Sequence, residues 1–423
     1  MRRFLLLCSL GIVLLFSSCT NTRQMLDPYV LDSQIPLNEK YAAFSIPEVQ
    51  ISTPVVYQDG KAWRDRIKEL VEGAQDYIIT SSFLASSSAE LEDLYAAIVQ
   101  KAKSGVRVYF VVDGIGAFDM TDTRYHLIPL NFLRDSGVHI LEFNPMSGTR
   151  LISTVGLAVR DHRKFVIVDG KHLAVGGMNL NYISIGATDD QLQRDSMYEF
   201  YSPQLCTIML DHFVPWWNDR SWETVRREDF SVDQTTLDGL DTYTAWYVDQ
   251  HPDSKKLSQL YGTMIAQAKT SIEVLPFLPF FDDSMLEAFR KASERGVKIK
   301  MVIPFDKRET NRKGIEYMTK QLLTMGIDLR VESEKVRSLG LLHEKLMIID
   351  DRYVLVGSTN VNYRSFNLAY ETSLLIDDAA LALQLKDHFA ALYENTIPIT
   401  EDMADSWHTI DALPRYLFGF FGG

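Results

Sequence analysis

Two copies of the pattern H-x-K-x-x-x-x-D occur in the chain, as H-R-K-F-V-I-V-D and H-E-K-L-M-I-I-D. Their polar members are His162, Lys164, Asp169, His343, Lys345 and Asp350. Two small residues and an asparagine follow each copy, namely Gly176, Gly177 and Asn179, and then Gly357, Ser358 and Asn360. A triplet that repeats with the same spacing and the same following residues indicates a duplicated functional unit, which is a far more specific signal than a single H-x-K.

Side chains two residues apart lie on the same face of an extended strand, so each histidine would project beside its lysine. The D-G and D-D dipeptides that begin at Asp169 and Asp350 are turn signals, and the apolar runs 173–175 and 353–356 predict return strands. Each predicted hairpin thereby brings an asparagine to the end that carries its histidine and lysine. The two aspartates could cap these turns or take part in catalysis, and the sequence leaves both roles open.

Two such hairpins placed face to face would form one pocket with two imidazoles, two ammonium groups and two carboxamides. This pocket suits a phosphodiester, whose negative charge is spread over two non-bridging oxygens. The lysines, Asn179, Asn360 and Ser358 are the expected phosphate-binding residues, and each donor of this kind stabilises a transition state by about 3 to 4 kcal/mol. Because these donors would occupy the role that metal cations play elsewhere, we expect neither a metal ion nor another cofactor.

Histidine suits two roles in phosphodiester chemistry, since its unperturbed pKa of about 6.5 keeps both protonation states accessible near neutrality. One imidazole would attack phosphorus and form a phosphohistidine. The other would protonate the departing alkoxide and then take a proton from the incoming hydroxyl. The near-symmetry of the two motifs does not indicate which imidazole has which role.

The paired motifs resemble those of the phospholipase D superfamily, whose members break and remake phosphodiester bonds. The second copy, in L-L-H-E-K-L-M-I-I-D-D-R-Y-V-L-V-G-S-T-N-V-N-Y-R-S-F-N-L-A-Y-E, is most similar to the bacterial cardiolipin synthases. The resemblance covers about residues 55 to 400. It implies that His162 is the nucleophile and that His343 is the acid/base.

In the superfamily, a carboxylate beyond each asparagine orients a catalytic imidazole through its ring N–H, and the resemblance assigns this role to Asp195 and Glu371. Cardiolipin synthases commonly have W-R-D where this chain has Q-R-D, so the tryptophan is absent while the carboxylate is retained. His212 and His388 lie in similar D-H-F strings that close each half. These strings indicate a repeated structural helix rather than a second site.

The motif repeat belongs to a repeat of whole half-chains. The strings A-Q-D-Y-I-I-T from Ala74 and A-K-T-S-I-E-V from Ala268 each indicate a helix end that runs into a strand, and a helical pattern and a second strand follow. Strands that alternate with helices predict α/β architecture. We therefore expect two pseudo-symmetric phospholipase D-like lobes, each a mixed, mainly parallel sheet flanked by helices, with the active site at the lobe interface.

The repeat also sets the expected domain boundaries. They are a lipoprotein signal peptide at 1–18, a tether at 19–55, a first lobe at 56–220, a linker at 221–250, a second lobe at 251–400 and an aromatic tail at 401–423. The tail contains P-R-Y-L-F-G-F-F-G-G, which could enter a membrane interface or pack on the second lobe, and both alternatives remain open.

The N-terminal segment has the features of a bacterial lipoprotein signal. Arg2 and Arg3 form a positive n-region, residues 4–16 are apolar but too few for a comfortable membrane span, and F-S-S-C ends at Cys19. We expect Cys19 to be lipidated and to anchor the protein in the bacterial cell envelope, with its catalytic body outside the cytoplasm. An ordinary signal peptide or an uncleaved anchor is the alternative. Cleavage would leave Cys19 and Cys206, which excludes a disulfide framework.

The formal charge of −13 makes the chain a poor partner for nucleic acid, whose binding depends on neutralising phosphates with lysine and arginine. The expected substrate is a phospholipid, and a monomer suffices for one active site because one chain carries both motifs. The anchor and the resemblance favour a membrane-anchored phosphatidyltransferase that makes cardiolipin from phosphatidylglycerol. The alternatives are a hydrolytic phosphodiesterase, either a phospholipase D or a nuclease, and a non-catalytic lipid-binding envelope protein.

Overall fold

The computed structural model describes residues 27–86, 88–117, 130–145, 159–186, 193–337 and 339–422. The predicted signal peptide and Cys19 lie outside these residues. Within them, two large mixed sheets organise the chain, one of seven strands in the first lobe and one of ten strands in the second.

The first-lobe sheet combines a parallel half with an antiparallel half. Its strands are β2 (Val55–Tyr57), β3 (Tyr77–Ser82), β4 (Arg107–Asp113), β5 (His139–Phe143), β7 (Phe165–Val168), β8 (His172–Gly176) and β10 (Met197–Phe200). The helices of this lobe are α3 (Gly60–Gly73), α4 (Glu92–Lys103), α5 (Asn131–Asp135), α6 (Tyr182–Ile185) and α7 (Pro203–Arg220). The strand order is β2-β10-β8-β7-β3-β4-β5, in which β3, β4 and β5 are mutually parallel and the other neighbours are antiparallel.

The second-lobe sheet repeats this arrangement and extends it. Nine of its ten strands are β1 (Glu48–Ser52), β11 (Thr242–Gln250), β12 (Ser271–Pro276), β13 (Lys298–Ile303), β14 (Asp328–Glu332), β16 (Lys345–Ile349), β17 (Tyr353–Gly357), β18 (Ala369–Asp377) and β19 (Thr396–Pro398), and the tenth is β6 (Arg160–Asp161), which pairs with β18. Its helices are α1 (Pro28–Leu31), α2 (Leu37–Ala43), α8 (Lys256–Gln267), α9 (Asp283–Glu294), α10 (Glu309–Leu323), α11 (Glu334–Arg337), α12 (Tyr363–Asn367), α13 (Ala379–Glu394), α14 (Glu401–Trp407) and α15 (Leu413–Gly422). The order is β1-β11-β18-β17-β16-β12-β13-β14-β19, with β12, β13 and β14 parallel.

The predicted α/β class with helix-flanked mixed sheets is confirmed. Fewer strands are parallel than predicted. In the strand order of each sheet given above, three adjacent strands are parallel to one another, namely β3, β4 and β5 in the first and β12, β13 and β14 in the second. The motif strands β7–β8 and β16–β17 are each joined by a turn of three residues, 169–171 and 350–352, which is too short to join parallel neighbours. The hairpins that carry the motifs therefore make each sheet mixed.

The two sheets share one apolar core. A central cluster contains Tyr77 and Phe165 from the first sheet together with Leu275 and Ile348 from the second. Apolar residues of α7 and α13 complete this cluster, and separate clusters lie under the outer helices of each lobe. Since burial of apolar surface is the main stabilising term in folding, the shared cluster fixes the lobes against each other.

The segment predicted as a tether is folded from residue 27 onward. Tyr41 of α2 is buried and its hydroxyl donates to the backbone oxygen of Leu260 on α8, 3.0 Å away. Strand β1 pairs with β11 in the second lobe, and β2 pairs with β10 in the first. The described part of 19–55 is thus built into both lobes and is not a free tether, because its strands need sheet partners.

The predicted linker and tail are also parts of the folded body. Strand β11, within the predicted linker 221–250, lies between β1 and β18 in the second sheet. In the tail, the rings of Tyr416 and Phe420 lie 6.4 and 6.3 Å from the ring of Phe280, so α15 packs on the second lobe. Phe418 of the same helix remains 57% exposed. Among the described helices, none combines the length and apolar character needed to cross a bilayer.

Candidate active site

Short extended segments cross between the lobes and place the two histidines. β6 (Arg160–Asp161) pairs in parallel with β18 of the second lobe, and β15 (Leu341–Leu342) pairs in parallel with β9 (Gln193–Arg194) of the first. The backbone N–H of His162 donates to the oxygen of Tyr370, and that of His343 donates to the oxygen of Arg194, both at 2.9 Å. Each motif histidine is therefore tied to the opposite lobe, next to that lobe's carboxylate.

His343 forms a close pair with Asp195. Nδ1 of His343 lies 2.5 Å from Oδ2 of Asp195, and Nζ of Lys345 lies 3.3 Å from the same oxygen. Burial opposes ionisation of Asp195, but the charge of Lys345 and the hydrogen bond from His343 outweigh it and hold the carboxyl pKa below its usual value. Burial and the Lys345 charge lower the pKa of His343 to about 3. The pair therefore consists of an ionised carboxylate and a neutral imidazole in the absence of substrate.

His162 faces Glu371, which has a different set of partners. Nδ1 of His162 lies 3.0 and 3.1 Å from the two oxygens of Glu371. The hydroxyls of Ser358 and Ser365 donate to the same carboxylate at 2.5 and 2.6 Å. Burial nevertheless raises the pKa of Glu371 to about 7, against the opposing charge of Lys164. This carboxylate is consequently a weaker negative partner than Asp195.

The lysines complete the charged pocket. Nζ of Lys164 donates to the backbone oxygen of His162 at 2.6 Å, and Nζ of Lys345 donates to the backbone oxygen of His343. Burial lowers the pKa of Lys164 to about 7 and also lowers that of Lys345. Burial and then the charges of the two lysines and Arg364 hold the pKa of His162 well below its usual value. An anionic ligand would relieve this concentration of positive charge.

Both asparagines that follow the motifs are buried. Oδ1 of Asn179 accepts a hydrogen bond from the N–H of Leu84 at 3.1 Å, which leaves its amide nitrogen as a donor. The side-chain oxygen of Asn360 is buried and lacks a hydrogen-bond partner in the described part of the chain. Buried polar atoms are normally paired, so this orphaned acceptor in a charged pocket is consistent with a site whose ligand carries a hydrogen-bond donor, such as a hydroxyl group.

A phenylalanine stands behind each histidine and lysine. The ring centroid of Phe83 lies 4.8 Å from that of His162, and the ring centroid of Phe277 lies 4.1 Å from that of His343. Nζ of Lys164 lies 5.3 Å from the Phe83 centroid, and Nζ of Lys345 lies 4.8 Å from the Phe277 centroid. The motif pattern does not predict these rings. The repeated F-L dipeptide just after β3 and β12 is the signal that reveals them.

The motif aspartates lie away from the imidazoles, at the hairpin turns. Asp169 and Asp350 have positive φ values of 53° and 56°, which aspartate tolerates better than most residues. The carboxylate of Asp169 accepts the N–H groups of Gln75, Asp76 and Tyr77. The carboxylate of Asp350 accepts the corresponding N–H groups of residues 269–271. Of the two roles that the sequence leaves open, these bonds support turn capping, and the placement does not support direct catalysis.

Two other sequence-level observations have structural counterparts. Gln193, at the position where cardiolipin synthases commonly have tryptophan, is buried and accepts a hydrogen bond from the hydroxyl of Ser184 at 2.6 Å. His212 and His388 lie on the long helices α7 and α13. Nε2 of His388 lies 2.7 Å from the carboxylate of Glu344, the residue between the motif histidine and lysine.

The chain matches a known family over both lobes. Residues 67–217 and 261–393 match the family described as cardiolipin synthase, phospholipase D-like domain. A cardiolipin synthase of Alkalihalophilus pseudofirmus is 26% identical over 333 residues, which cover 75% of this chain and 61% of that protein. Cardiolipin synthase 2 of Bacillus anthracis is 27% identical over 339 residues, covering 77% and 60% respectively. The chain thus spans about three fifths of the length of these curated relatives.

A solved structure shares the fold of most of the chain. The phosphatidylserine synthase of Haemophilus influenzae Rd KW20 superimposes with a TM-score of 0.67 at 13% sequence identity. The match covers 91% of this chain and 96% of that one. Both halves of the family match contain one motif histidine and one motif lysine of the pocket. The chain therefore belongs to the phospholipase D-like domain family of the cardiolipin synthases.

Proposed function

We propose that the protein is a phospholipase D-type phosphatidyltransferase that makes cardiolipin from phosphatidylglycerol through a phosphohistidine intermediate. The observation that carries this proposal is the pair of crossed contacts, His162 with Glu371 and His343 with Asp195, in one buried pocket. Each lobe supplies one imidazole and the carboxylate for the other. Two imidazoles that each contact a carboxylate through Nδ1 would use the other ring nitrogen, Nε2, for chemistry at phosphorus.

The difference between the carboxylates supports distinct roles for the imidazoles. The general acid must carry a proton, and an imidazolium is best stabilised by an ionised partner, which favours His343 beside Asp195. The nucleophile must be neutral, and His162 faces the less acidic Glu371 within reach of three cations. A bound phosphodiester anion would raise the pKa of both imidazoles. The protonated form of His343 would be stabilised more than that of His162, because His343 already faces the ionised carboxylate of Asp195.

The proposed reaction has two balanced steps. Nε2 of His162 attacks phosphorus while the bond to the departing glycerol oxygen breaks, and a proton from His343 passes to that oxygen. The hydroxyl of a second phosphatidylglycerol then gives its proton to His343 as its oxygen attacks phosphorus and the P–N bond breaks. The lysines and the site asparagines donate to the non-bridging oxygens throughout.

Burial of the reacting groups supports transfer to an alcohol rather than to water. His162 and His343 are 6% and 5% exposed, so little solvent reaches the imidazoles. Exclusion of water from a site limits hydrolysis of a reactive intermediate. A hydrolytic phosphodiesterase would use the same groups with water as the acceptor, and the product therefore decides between the two.

The decisive test is incubation of the purified protein with phosphatidylglycerol vesicles, followed by product identification by mass. We expect cardiolipin and glycerol in equal amounts. Phosphatidic acid without cardiolipin would identify a hydrolase, and the absence of both products would indicate a non-catalytic lipid-binding protein. His212→Ala is the matched control, because it removes an exposed histidine that pairs with Asp249 outside the pocket and should leave turnover unchanged.

We further propose that acylated Cys19 anchors the protein in the bacterial envelope, on the support of the N-terminal sequence alone. Mass measurement of the mature N-terminus tests it, and Cys19→Ser should release the protein from membranes. A soluble variant should begin at Asp27 and not later, because α1 and α2 pack on the second lobe. That variant should still act on micellar lipid, since a lipid anchor raises the local concentration of substrate and does not take part in the reaction. An unmodified Cys19 would refute the anchor.

A further inference from the structure

One buried cation of the pocket has no equivalent in the other lobe. Helices α6 and α12 follow the two site asparagines and begin alike, with the strings N-Y-I-S and N-Y-R-S. In both, the side chain of the first residue, Asn181 or Asn362, accepts the N–H of the serine three residues later. The third position of the string is Ile183 in one lobe and Arg364 in the other, and both side chains are buried. The pseudo-twofold symmetry is broken at this position.

Arg364 extends from the second lobe towards the half of the pocket that contains His162. Its guanidinium carbon lies 5.8 Å from the ring centroid of Phe83. The same ring lies beside the imidazole of His162 and the ammonium group of Lys164, with a centroid distance of 4.8 Å to the former. The positive charge of Arg364 also contributes to the lowered pKa of His162 and opposes the rise in the pKa of Glu371.

Arg364 is a buried cation of the pocket in addition to the motif lysines, Lys164 and Lys345. A motif lysine is present in each lobe, whereas the guanidinium is present in the second lobe at a position where the first lobe has Ile183. Arg364 therefore adds a positive charge that the corresponding position of the first lobe lacks.

We propose that Arg364 is a further catalytic residue, whose guanidinium binds a non-bridging oxygen of the phosphodiester on the His162 side and stabilises the phosphohistidine. This inference rests on the proposed function. As the P–N bond to His162 forms and the bond to the departing oxygen breaks, phosphorus moves towards His162, the half of the pocket in which the guanidinium of Arg364 lies. An interaction that strengthens during this movement accelerates the step, whereas equal binding of substrate and transition state would not.

A first experiment measures oxyanion binding without lipid or turnover. Inorganic phosphate is titrated calorimetrically into wild type, Arg364→Met and Arg352→Met, the last of which removes an exposed cation that pairs with Asp377 away from the pocket. We expect phosphate affinity to fall at least about tenfold in Arg364→Met, as loss of a charged hydrogen bond predicts, and to stay unchanged in Arg352→Met. Equal phosphate affinity in wild type and folded Arg364→Met would overturn the proposal.

A second experiment follows the intermediate itself with bis(4-nitrophenyl) phosphate, a soluble phosphodiester. Rapid quenching and mass analysis of the peptide that contains His162 report the phosphohistidine, and released nitrophenol reports turnover. We expect kcat of Arg364→Met to fall about 100- to 1,000-fold, as for loss of one oxyanion donor, with less trapped intermediate. A merely structural arginine would lower the melting temperature but leave kcat per folded molecule intact.

The experiments also distinguish a folding defect in Arg364→Met from a failure of the proposed function. If Arg364→Met does not fold, Arg364→Lys replaces it, because a lysine keeps the charge but loses the planar fork of donors. Wild-type phosphate affinity and wild-type levels of phosphohistidine in Arg364→Lys would then refute the proposal. If wild type binds phosphate and cleaves the soluble diester but makes no cardiolipin, the proposed function fails while the role of Arg364 is still decided by these measurements.

Discussion

The two halves of the pocket have the same fold and different chemistry. In one half, a Cβ atom added to Gly177 would lie 2.2 Å from Oδ1 of Asp195, so only glycine lets the carboxylate approach the backbone. The equivalent residue of the other half is Ser358, whose hydroxyl donates to the longer side chain of Glu371. One carboxylate has a lowered pKa and the other a pKa of about 7. A duplicated motif thus provides two imidazoles with unequal partners, as a reaction with a nucleophile and an acid requires.

The largest expected effect is the loss of activity when either histidine is removed, and a soluble substrate should distinguish the roles of the two imidazoles. His162→Ala and His343→Ala should each lower lipid turnover on the order of 10⁴-fold or more, since nucleophile and acid act as a unit. With bis(4-nitrophenyl) phosphate the leaving group needs no proton, so His343→Ala should still form the phosphohistidine while His162→Ala should not. Mass analysis of quenched reactions checks this. Phosphohistidine at residue 343 in the His162→Ala protein would reverse the assigned roles.

Neutralising the carboxylates should give smaller and unequal losses. Asp195→Asn removes an ionised partner of His343 and the countercharge of Lys345, so we expect kcat to fall by about 10⁴-fold, as for other histidine-orienting aspartates. Glu371→Gln alters a group that is already partly protonated near pH 7, and its loss should be smaller by at least tenfold. Steady-state kinetics of folded variants test this order. Equal losses would show that the two halves are electrostatically equivalent.

Exchange of the small residues tests the packing difference. Gly177→Ser should displace Asp195 and remove most activity, because no space exists for the added side chain. Ser358→Gly deletes one hydrogen bond to a carboxylate, which is worth about 1.5 to 3 kcal/mol, and should lower kcat only about ten- to a hundredfold. Thermal unfolding of both variants serves as the control. A fully active Gly177→Ser protein would contradict the close contact with Asp195.

The smallest expected effect is on the pH dependence of the free energy of unfolding. Glu371 and Asp195, the carboxylates of the two halves, should contribute to this dependence with opposite signs. The pKa of Glu371 is raised from 4.5 to about 7, so the folded state holds the extra proton and loses stability as the pH rises through that interval. The pKa of Asp195 is lowered from 3.8, so its contribution is present above that value and is lost as the pH falls through the folded pKa.

Urea unfolding of wild type and the two amide variants across these intervals measures both contributions. Glu371→Gln should remove the decline in stability between pH 4.5 and about 7, relative to wild type. Asp195→Asn should instead flatten the loss of stability in the acid range. If the free energy of unfolding had the same pH dependence in both variants, the pKa values of Glu371 and Asp195 would not be shifted in opposite directions.

Local patterns in the chain were sufficient to predict the fold class and the two histidine–lysine pairs that lie in one pocket. Alternation along a strand places His162 beside Lys164 whatever the rest of the chain does. The turn dipeptides at Asp169 and Asp350 predict hairpins for the same reason, since a short turn depends mainly on backbone conformations that aspartate and glycine tolerate. These predictions depend on contacts between near neighbours, which a sequence specifies directly.

Long-range pairing decided the rest. His162 and Glu371 are 209 positions apart and His343 and Asp195 are 148 apart, and the motifs alone are compatible with either partner for either imidazole. The crossed choice follows from the parallel pairing of β6 with β18 and of β15 with β9, which forms only when the lobes meet. The same meeting places Arg364 near Phe83 and builds residues 27–55 into both lobes. Such contacts depend on the shared core, whose burial is a property of the assembled sheets and not of any one segment.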